Sequence, residues 1–336
     1  MTSVEQRFRR YADEYRQELT DVIARAVDDA ELVGTSLQEM LDYQMSTGGK
    51  RLRALLPLMV ADALDEPPDR VLPFGAACEL IHNATLIHDD LQDGDRLRRG
   101  QPAIWVRYGS SPAINLGDAL LYLAPLCLEY ADVEEGLRWQ VASMIFRQVL
   151  GVVDGQEREF ALDATTATHD DYVKMVVGKT GGLFCLPIVG AARLCGASEA
   201  IVEALQLVSR ELGVLFQIQD DIVDLYGEKG RECRGGDLRE GKISALVIAF
   251  GSRAPSSEVQ RLHQILEAGR DETTEDDVAW AIEQFRRRGA LSSALENIAG
   301  CRRRALAVQG LGDHQELRDL IDGLVDLFLK PIEHLL

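Results

Sequence analysis

Leu80-Ile81-His82-Asn83-Ala84-Thr85-Leu86-Ile87-His88-Asp89-Asp90-Leu91-Gln92-Asp93 is an apolar run, interrupted at His82 and Asn83, that ends in three carboxylates. Its apolar residues return at helical spacing. The same i, i+3, i+4, i+7 pattern continues outward on both sides, as in Leu37, Met40, Leu41 and Gln44/Met45. Strict alternation over six residues is hard to find, so the chain reads as all-α. Helices are expected at 4–31, 35–46, 50–65, 69–93, 112–132, 134–161, 168–194, 197–227, 239–251, 255–269, 274–308 and 313–330, with ends good to a few residues. Punctuation falls at Gly48-Gly49, Pro67-Pro68, Gly109-Ser110-Ser111-Pro112 and Gly230 through Gly236. Pro57, Pro125 and Pro187 lie inside helical patterns, where each costs about 3 kcal/mol or forces a kink. Either those helices bend or their boundaries lie elsewhere.

The chain has 336 residues, with 36 Lys+Arg against 55 Asp+Glu and a net charge of −19. Sheathing phosphate takes a clustered basic surface, so neither nucleic acid nor an anionic membrane is an expected partner. A content of 46% hydrophobic and 27% charged residues is globular. The length exceeds the roughly 250–300 residues at which single cores stop growing, which leaves two domains or one large helical one. No linker or low-complexity tract favours the former, and one domain over 1–336 is expected. Cys78, Cys127, Cys185, Cys195, Cys233 and Cys301 form no CxxC pair, which fits a reducing cytoplasm and no zinc ribbon or disulfide framework. The N-terminal MTSVEQRFRRYADEY has no apolar h-region, and no apolar stretch is read as approaching the roughly 20 residues of a span. A soluble, unprocessed chain without an integral membrane segment is expected.

The acidic end of the opening stretch recurs. Asp89-Asp90-Leu91-Gln92-Asp93 and Asp220-Asp221-Ile222-Val223-Asp224 share the pattern DDxxD, the second after the apolar LGVLFQIQ. Residues four apart on a helix differ by about 40° in direction and about 6 Å in height, so Asp89 with Asp93, and Asp220 with Asp224, form carboxylate pairs that can hold a hard cation. A solvated acidic patch is the competing reading for one such cluster; two, each ending an apolar helix, argue against it. Crowded acids repel one another unless metal or basic groups neutralise them. Oxygen-only ligation favours Mg²⁺ or Mn²⁺, and Mg²⁺ is commonly shared with substrate phosphates. A di-iron centre would need Glu-x-x-His ligands, a motif that does not occur here.

In so acidic a chain, Gly48-Gly49-Lys50-Arg51-Leu52-Arg53 and Arg96-Leu97-Arg98-Arg99-Gly100 stand out as diphosphate clamps. Lys50 and Arg53 are expected on one face at a helix N-terminus, which favours an anion. The order GGKRLR, DDLQDGDRLRRG, GKTGGLF, FQIQDDIVDLYG and DLREGKIS, over residues 45–250, resembles the trans-isoprenyl diphosphate synthases, the head-to-tail polyprenyl synthases. The resemblance implies an all-α bundle around a deep central cavity, a homodimer, and two acidic clusters facing across the cavity mouth. It implies that Asp89, Asp93 and Asp220 hold Mg²⁺, three ions with a bound diphosphate, and that Asp90, Asp221 and Asp224 complete or support the shell. Arg98, Lys179 and Lys242 would grip the allylic diphosphate, and Lys50, Arg53, His82 and Arg99 the isopentenyl diphosphate. Thr180 and Gln217 would steer the cation and the double bond. Where the family often has a TGK-like turn, this chain offers Lys229 or Arg231; its GQxxD segment ends in Glu159 instead of Asp.

The implied reaction ionises the allylic diphosphate, joins the cation to isopentenyl diphosphate and loses a proton, with no Ser/His/Asp triad. An isoprene unit is roughly 5 Å long, close to the 5.4 Å helical rise. The residues before Asp89, namely Thr85 and Ala84, then Ile81 and Leu80, then Cys78 and Ala77, therefore read as depth markers, with Tyr122 the bulkiest on the facing helix. In the family that the chain resembles, an aromatic residue four or five places before the first aspartate commonly stops growth at fifteen carbons; the small Ala84 and Thr85 here imply a geranylgeranyl diphosphate synthase with a product of about twenty carbons. The alternatives are a farnesyl or longer-chain synthase, a class I terpene cyclase, or a silent subunit of a heteromeric synthase. The clamps at GGKRLR and Arg99 argue against the cyclase, and the intact acids against the silent subunit.

Overall fold

The computed structural model describes residues 3–227, 234–311 and 314–336; Lys229, Arg231 and Cys233 lie outside them. The chain packs as two compact units. The first comprises Met1–Val149, Cys185–Gln206 and Gly310–Leu320, and the second Leu150–Phe184, Leu207–Gln309 and Ile321–Leu336.

The opening elements are α1 (Ser3–Asp29), α2 (Ser36–Ser46), α3 (Leu52–Ala63) and α4 (Leu72–Gln92). A small hairpin follows, β1 (Leu97–Arg98) with β2 (Gln101–Pro102), then α5 (Ile104–Tyr108) and α6 (Ser110–Leu126). The centre of the chain forms α7 (Glu135–Ala161), α8 (His169–Val176), α9 (Gly182–Leu194) and α10 (Glu199–Tyr226). After it come α11 (Gly236–Arg239), α12 (Ala245–Gly251), α13 (Ser256–Ala268), α14 (Glu275–Arg287), α15 (Ala290–Leu306) and α16 (Gln315–Leu329). The all-α expectation holds, and the two-residue antiparallel hairpin is the only β-structure among the described residues.

Several expected helices are divided, each for a local reason. The run 274–308 breaks at Gly289, whose φ of 74° is left-handed, between α14 and α15. The run 168–194 contains a π-helical turn at Val177–Gly181. The run 239–251 is helical only from Ala245, as α12; α11 ends at Arg239, and Gly241 between them has φ 72°. Pro57 stays inside α3, where it takes away the hydrogen bond to the Arg53 carbonyl. Pro125 sits just before α6 tightens into a 3₁₀ turn at Cys127–Tyr130.

In the first unit, Leu55, Leu56, Leu58 and Met59 of α3 and Phe74, Leu80, Ile81 and Ile87 of α4 are fully buried, each contributing about 1.5–3 kcal/mol by leaving water. In the second unit Phe184, Phe216 and Phe328 form a triad with ring centroids 5.1–5.2 Å apart. One expectation fails here. Ser110–Tyr130 and His169–Leu194 are long and apolar enough to cross a membrane by length and composition. The second is mostly buried in the protein and carries the π turn.

Candidate active site

The GGKRLR stretch forms a turn followed by α3. Arg51 adopts φ 53°, a left-handed N-cap, so the helix begins at Leu52 and Lys50 precedes it, exposed. The single helical face expected to carry Lys50 and Arg53 is therefore not formed; Arg53 alone lies on the first turn. The turn is tied down from below: Arg51 Nη1 donates to Glu79 Oε1 at 2.8 Å and Nη2 donates to the Met45 carbonyl. Asn83 Nδ2 also donates to Glu79 Oε1, at 3.1 Å, and Gln44 Nε2 donates to Asn83 Oδ1 at 3.2 Å. Glu79, Asn83 and Gln44 are all buried. This polar network was not read from the sequence, where the three residues carry no motif.

The hairpin brings the second basic cluster in. Its turn residues Arg99 and Gly100 have φ 55° and 75°, the type I′ signature usually met by Asn-Gly. Tyr43 anchors the hairpin from α2, its hydroxyl donating to the Pro102 carbonyl at 2.7 Å. Arg99 turns toward the glycines and Nη1 donates to the Gly48 carbonyl. Gly49 has φ 121°, backbone that favours glycine, and a Cβ there would lie 2.6 Å from that guanidinium. Arg98 goes the other way: Nε donates to Asp90 Oδ1 at 2.8 Å, and Asp95 lies 3.9 Å from Nη2. His82 sits among these groups. Burial first, then the charges of Arg53, Arg99, Arg98 and Arg51, holds its imidazole well below the usual pKa, so it stays neutral, with Nδ1 buried and unpartnered.

Asp90 is only 2% exposed; burial pushes its carboxyl up to about 6 against the pull of Arg98. Asp89 and Asp93 remain partly exposed on α4 and at its C-cap. Along α4, Thr85 lies about 40° from Asp89 and Cys78 about 20°, and Thr85 is partly accessible. Ile81, Ala77 and Ala84 are turned about 80°, 120° and 140° away, and all three are buried. Tyr122 corrects an expectation: it is 72% exposed on α6, so it does not close a tunnel within this chain; α6 meets α4 at Gly117, where a Cβ would lie 2.1 Å from His88 Nε2.

In the second unit the GKTGG segment is the π turn, wedged by glycines. A Cβ on Gly155 of α7 would lie 2.2 Å from the Lys179 backbone nitrogen, and one on Gly213 of α10 would lie 2.5 Å from Gly181 Cα. That close backbone approach sets two side-chain contacts. Lys179 Nζ meets Glu159 Oε2 at 2.5 Å, which gives the departing acid of the GQxxD segment its role, and Thr180 Oγ1 donates to Gln217 Oε1 at 2.7 Å. Gln217 Nε2 in turn donates to Asp221 Oδ1 at 3.0 Å, and Tyr172 OH and the Ala245 amide donate to Asp221 Oδ2 at 2.7 and 2.8 Å. Asp224 accepts from the amides of Gly236 and Asp237 at 3.1 and 3.2 Å. Lys242 Nζ is 2.7 Å from Glu240 Oε2. Arg98, Lys179 and Lys242, expected on one diphosphate, thus each hold a carboxylate here.

Asp89, Asp93 and Asp220 keep accessible oxygen donors of the hard type that suits Mg²⁺. Among the described residues no three acidic, His or Cys side chains converge on a common metal position.

An all-α scaffold that carries two carboxylate clusters and a knot of arginines around a buried histidine has the residue types that bind polyanionic ligands. Residues 35–285 match the Polyprenyl synthetase family, and the chain belongs to that family. It is 34% identical over 243 residues to the short chain isoprenyl diphosphate synthase of Methanocaldococcus jannaschii, covering 72% of this chain and 73% of the relative. It is 35% identical over 209 residues to the geranylgeranyl diphosphate synthase of Methanosarcina mazei, 61% and 64% of the two chains. The crystal structure of polyprenyl synthase from Caulobacter crescentus CB15, complexed with calcium and isoprenyl diphosphate, superposes with a TM-score of 0.84 over 98% of each chain at 26% identity.

Proposed function

We propose that this protein is a trans-prenyltransferase that condenses an allylic diphosphate with isopentenyl diphosphate, and that its product is geranylgeranyl diphosphate. The carrying observation is the group of Arg53, Arg98, Arg99 and Arg51 around a neutral His82 in a chain of net charge −19. Two of these arginines hold left-handed backbone, a cost of about 1–3 kcal/mol each that persists where surrounding contacts impose it. Kinship with short-chain and geranylgeranyl diphosphate synthases supports the same reading.

Asp89, Asp93 and Asp220 would hold Mg²⁺, with Mn²⁺ an acceptable substitute, and three ions once a diphosphate is bound. The metal supplies neutralisation of the charge that grows on the departing diphosphate. Arg98, Lys179 and Lys242 would exchange their carboxylate partners for oxygens of the allylic diphosphate, while Lys50, Arg53 and Arg99, with His82, bind isopentenyl diphosphate. Thr180 and Gln217 present oxygen lone pairs to the allylic cation. The double bond of isopentenyl diphosphate attacks that cation, and the proton then lost goes to the released diphosphate.

We read residues 1–336 as one synthase domain, the match at 35–285 drawing on both units. A homodimer is supported by α7, where Trp139, Phe146, Leu150, Val153 and Phe160 are exposed along one face. A cytoplasmic location is supported by the five free cysteines among the described residues.

Bidentate guanidinium contact is what lysine or alanine cannot replace. Arg53→Ala is therefore expected to raise the KM for isopentenyl diphosphate by at least about tenfold, a loss of one charge-assisted contact, while leaving that for the allylic diphosphate within about twofold. Equal rises for both substrates would refute the separate clamp.

A further inference from the structure

We infer that Asp221 is not a metal ligand but, together with Tyr172, a lock that holds Gln217 and Thr180 in place for the substrate. The inference rests on the prenyltransferase reading above and assigns one of its six clustered aspartates a different task.

The argument begins with hydrogen-bond direction. An ionised carboxylate only accepts, with about four lone-pair sites. Three are taken, by Tyr172 OH, the Ala245 amide and Gln217 Nε2, and the residue is 4% exposed. Little capacity or access is left for a cation. Asp220 beside it is partly exposed, so neighbours in sequence divide the work.

The same directionality fixes what lies further along. Because the carboxylate accepts, the amide nitrogen of Gln217 must face it, which turns Oε1 to Thr180. Thr180 Oγ1 must then donate to that oxygen. Every bond in the chain from Thr180 through Gln217 to Asp221 points toward the carboxylate. The lone pairs of Thr180 Oγ1 are consequently left available to accept, polarised by the buried negative charge, as a hydroxyl beside an allylic cation requires. Tyr172 is 1% exposed and touches none of the reacting atoms; it acts through Asp221 and is a positioning residue. Its place on α8, which runs directly into the π turn carrying Lys179 and Thr180, ties the lock to the segment that holds both.

The test compares Tyr172→Phe, Thr180→Val, their double variant, Thr180→Ser and Asp220→Ala. The readouts are kcat and KM, and Mn²⁺ binding in the presence of inorganic diphosphate, followed by electron paramagnetic resonance. Tyr172→Phe should lower kcat about tenfold, the effect of one lost hydrogen bond to a charged group, with both KM values and the Mn²⁺ affinity unchanged. Asp220→Ala should weaken Mn²⁺ binding. The double variant should be little worse than Thr180→Val alone, because groups that act as one unit do not add, and Thr180→Ser should retain most of the rate. Weaker Mn²⁺ binding in Tyr172→Phe, multiplicative losses, or an undiminished kcat would overturn the inference. Should Tyr172→Phe fail to fold by circular dichroism, Asp221→Asn carries the same comparison, and a loss of Mn²⁺ binding there is the contrary result. A wild-type protein inactive on the two diphosphates would instead overturn the prenyltransferase reading.

Discussion

Arg51 and Arg99 occupy backbone that arginine rarely adopts, and each is held there by contacts its own guanidinium makes. Arg51 is bound to Glu79 and Met45, Arg99 to Gly48. The clamp motifs were legible as residue types, yet this geometry was not, because Glu79, Asn83 and Gln44 look like ordinary helix residues until α2, α3 and α4 pack. Tyr172 was invisible for the same reason: its partner Asp221 lies 49 positions away. Spacing alone named Ala84 and Thr85 together, whereas one continuous α4 turns Ala84 into the core and leaves Thr85 on the side of Asp89. Thr85→Phe is accordingly expected to shift the main product from about twenty carbons to about fifteen or fewer, one helical turn corresponding to one isoprene unit. Chromatography of the dephosphorylated products reads this out. An unchanged distribution with rate and fold intact would show that this face of α4 does not line the growing chain.

The elements were largely readable from apolar periodicity, since helices α1, α7 and α10 fall within two residues of expectation at each end. What periodicity could not show is where a continuous apolar pattern changes its winding. GKTGGLF reads as plain helix, and it is Gly155 and Gly213 on neighbouring elements that admit the wider π turn, a device found mostly at functional sites. Gly213→Ala would place a methyl 2.5 Å from Gly181 Cα. Neither backbone can yield without moving Thr180 off Gln217, so a loss of about 1–3 kcal/mol in urea unfolding is expected, with a lower kcat in the molecules that remain folded. Wild-type stability and turnover in this variant would mean that the close approach is not what sets the π turn. The hairpin was missed because two-residue strands carry no alternation to detect.

At the scale of the molecule, α7 exposes Trp139, Phe146, Leu150, Val153 and Phe160 along one face, the kind of apolar surface that marks an interaction site. Trp139→Glu with Phe146→Glu is expected to convert the protein from dimer to monomer in sedimentation velocity; a dimer unaffected by two charges on that face would place the interface elsewhere. The large acidic excess speaks against nucleic-acid partners, and it makes the few arginine clusters the places where anionic ligands can gather. The account as a whole stands on head-to-tail condensation, and one incubation addresses it: purified protein with Mg²⁺, farnesyl diphosphate and radiolabelled isopentenyl diphosphate. A labelled, linear prenyl diphosphate of about twenty carbons, one isoprene unit or helical turn longer than the primer, is the predicted product. A cyclic hydrocarbon carrying no label, or a primer returned unextended, would contradict it.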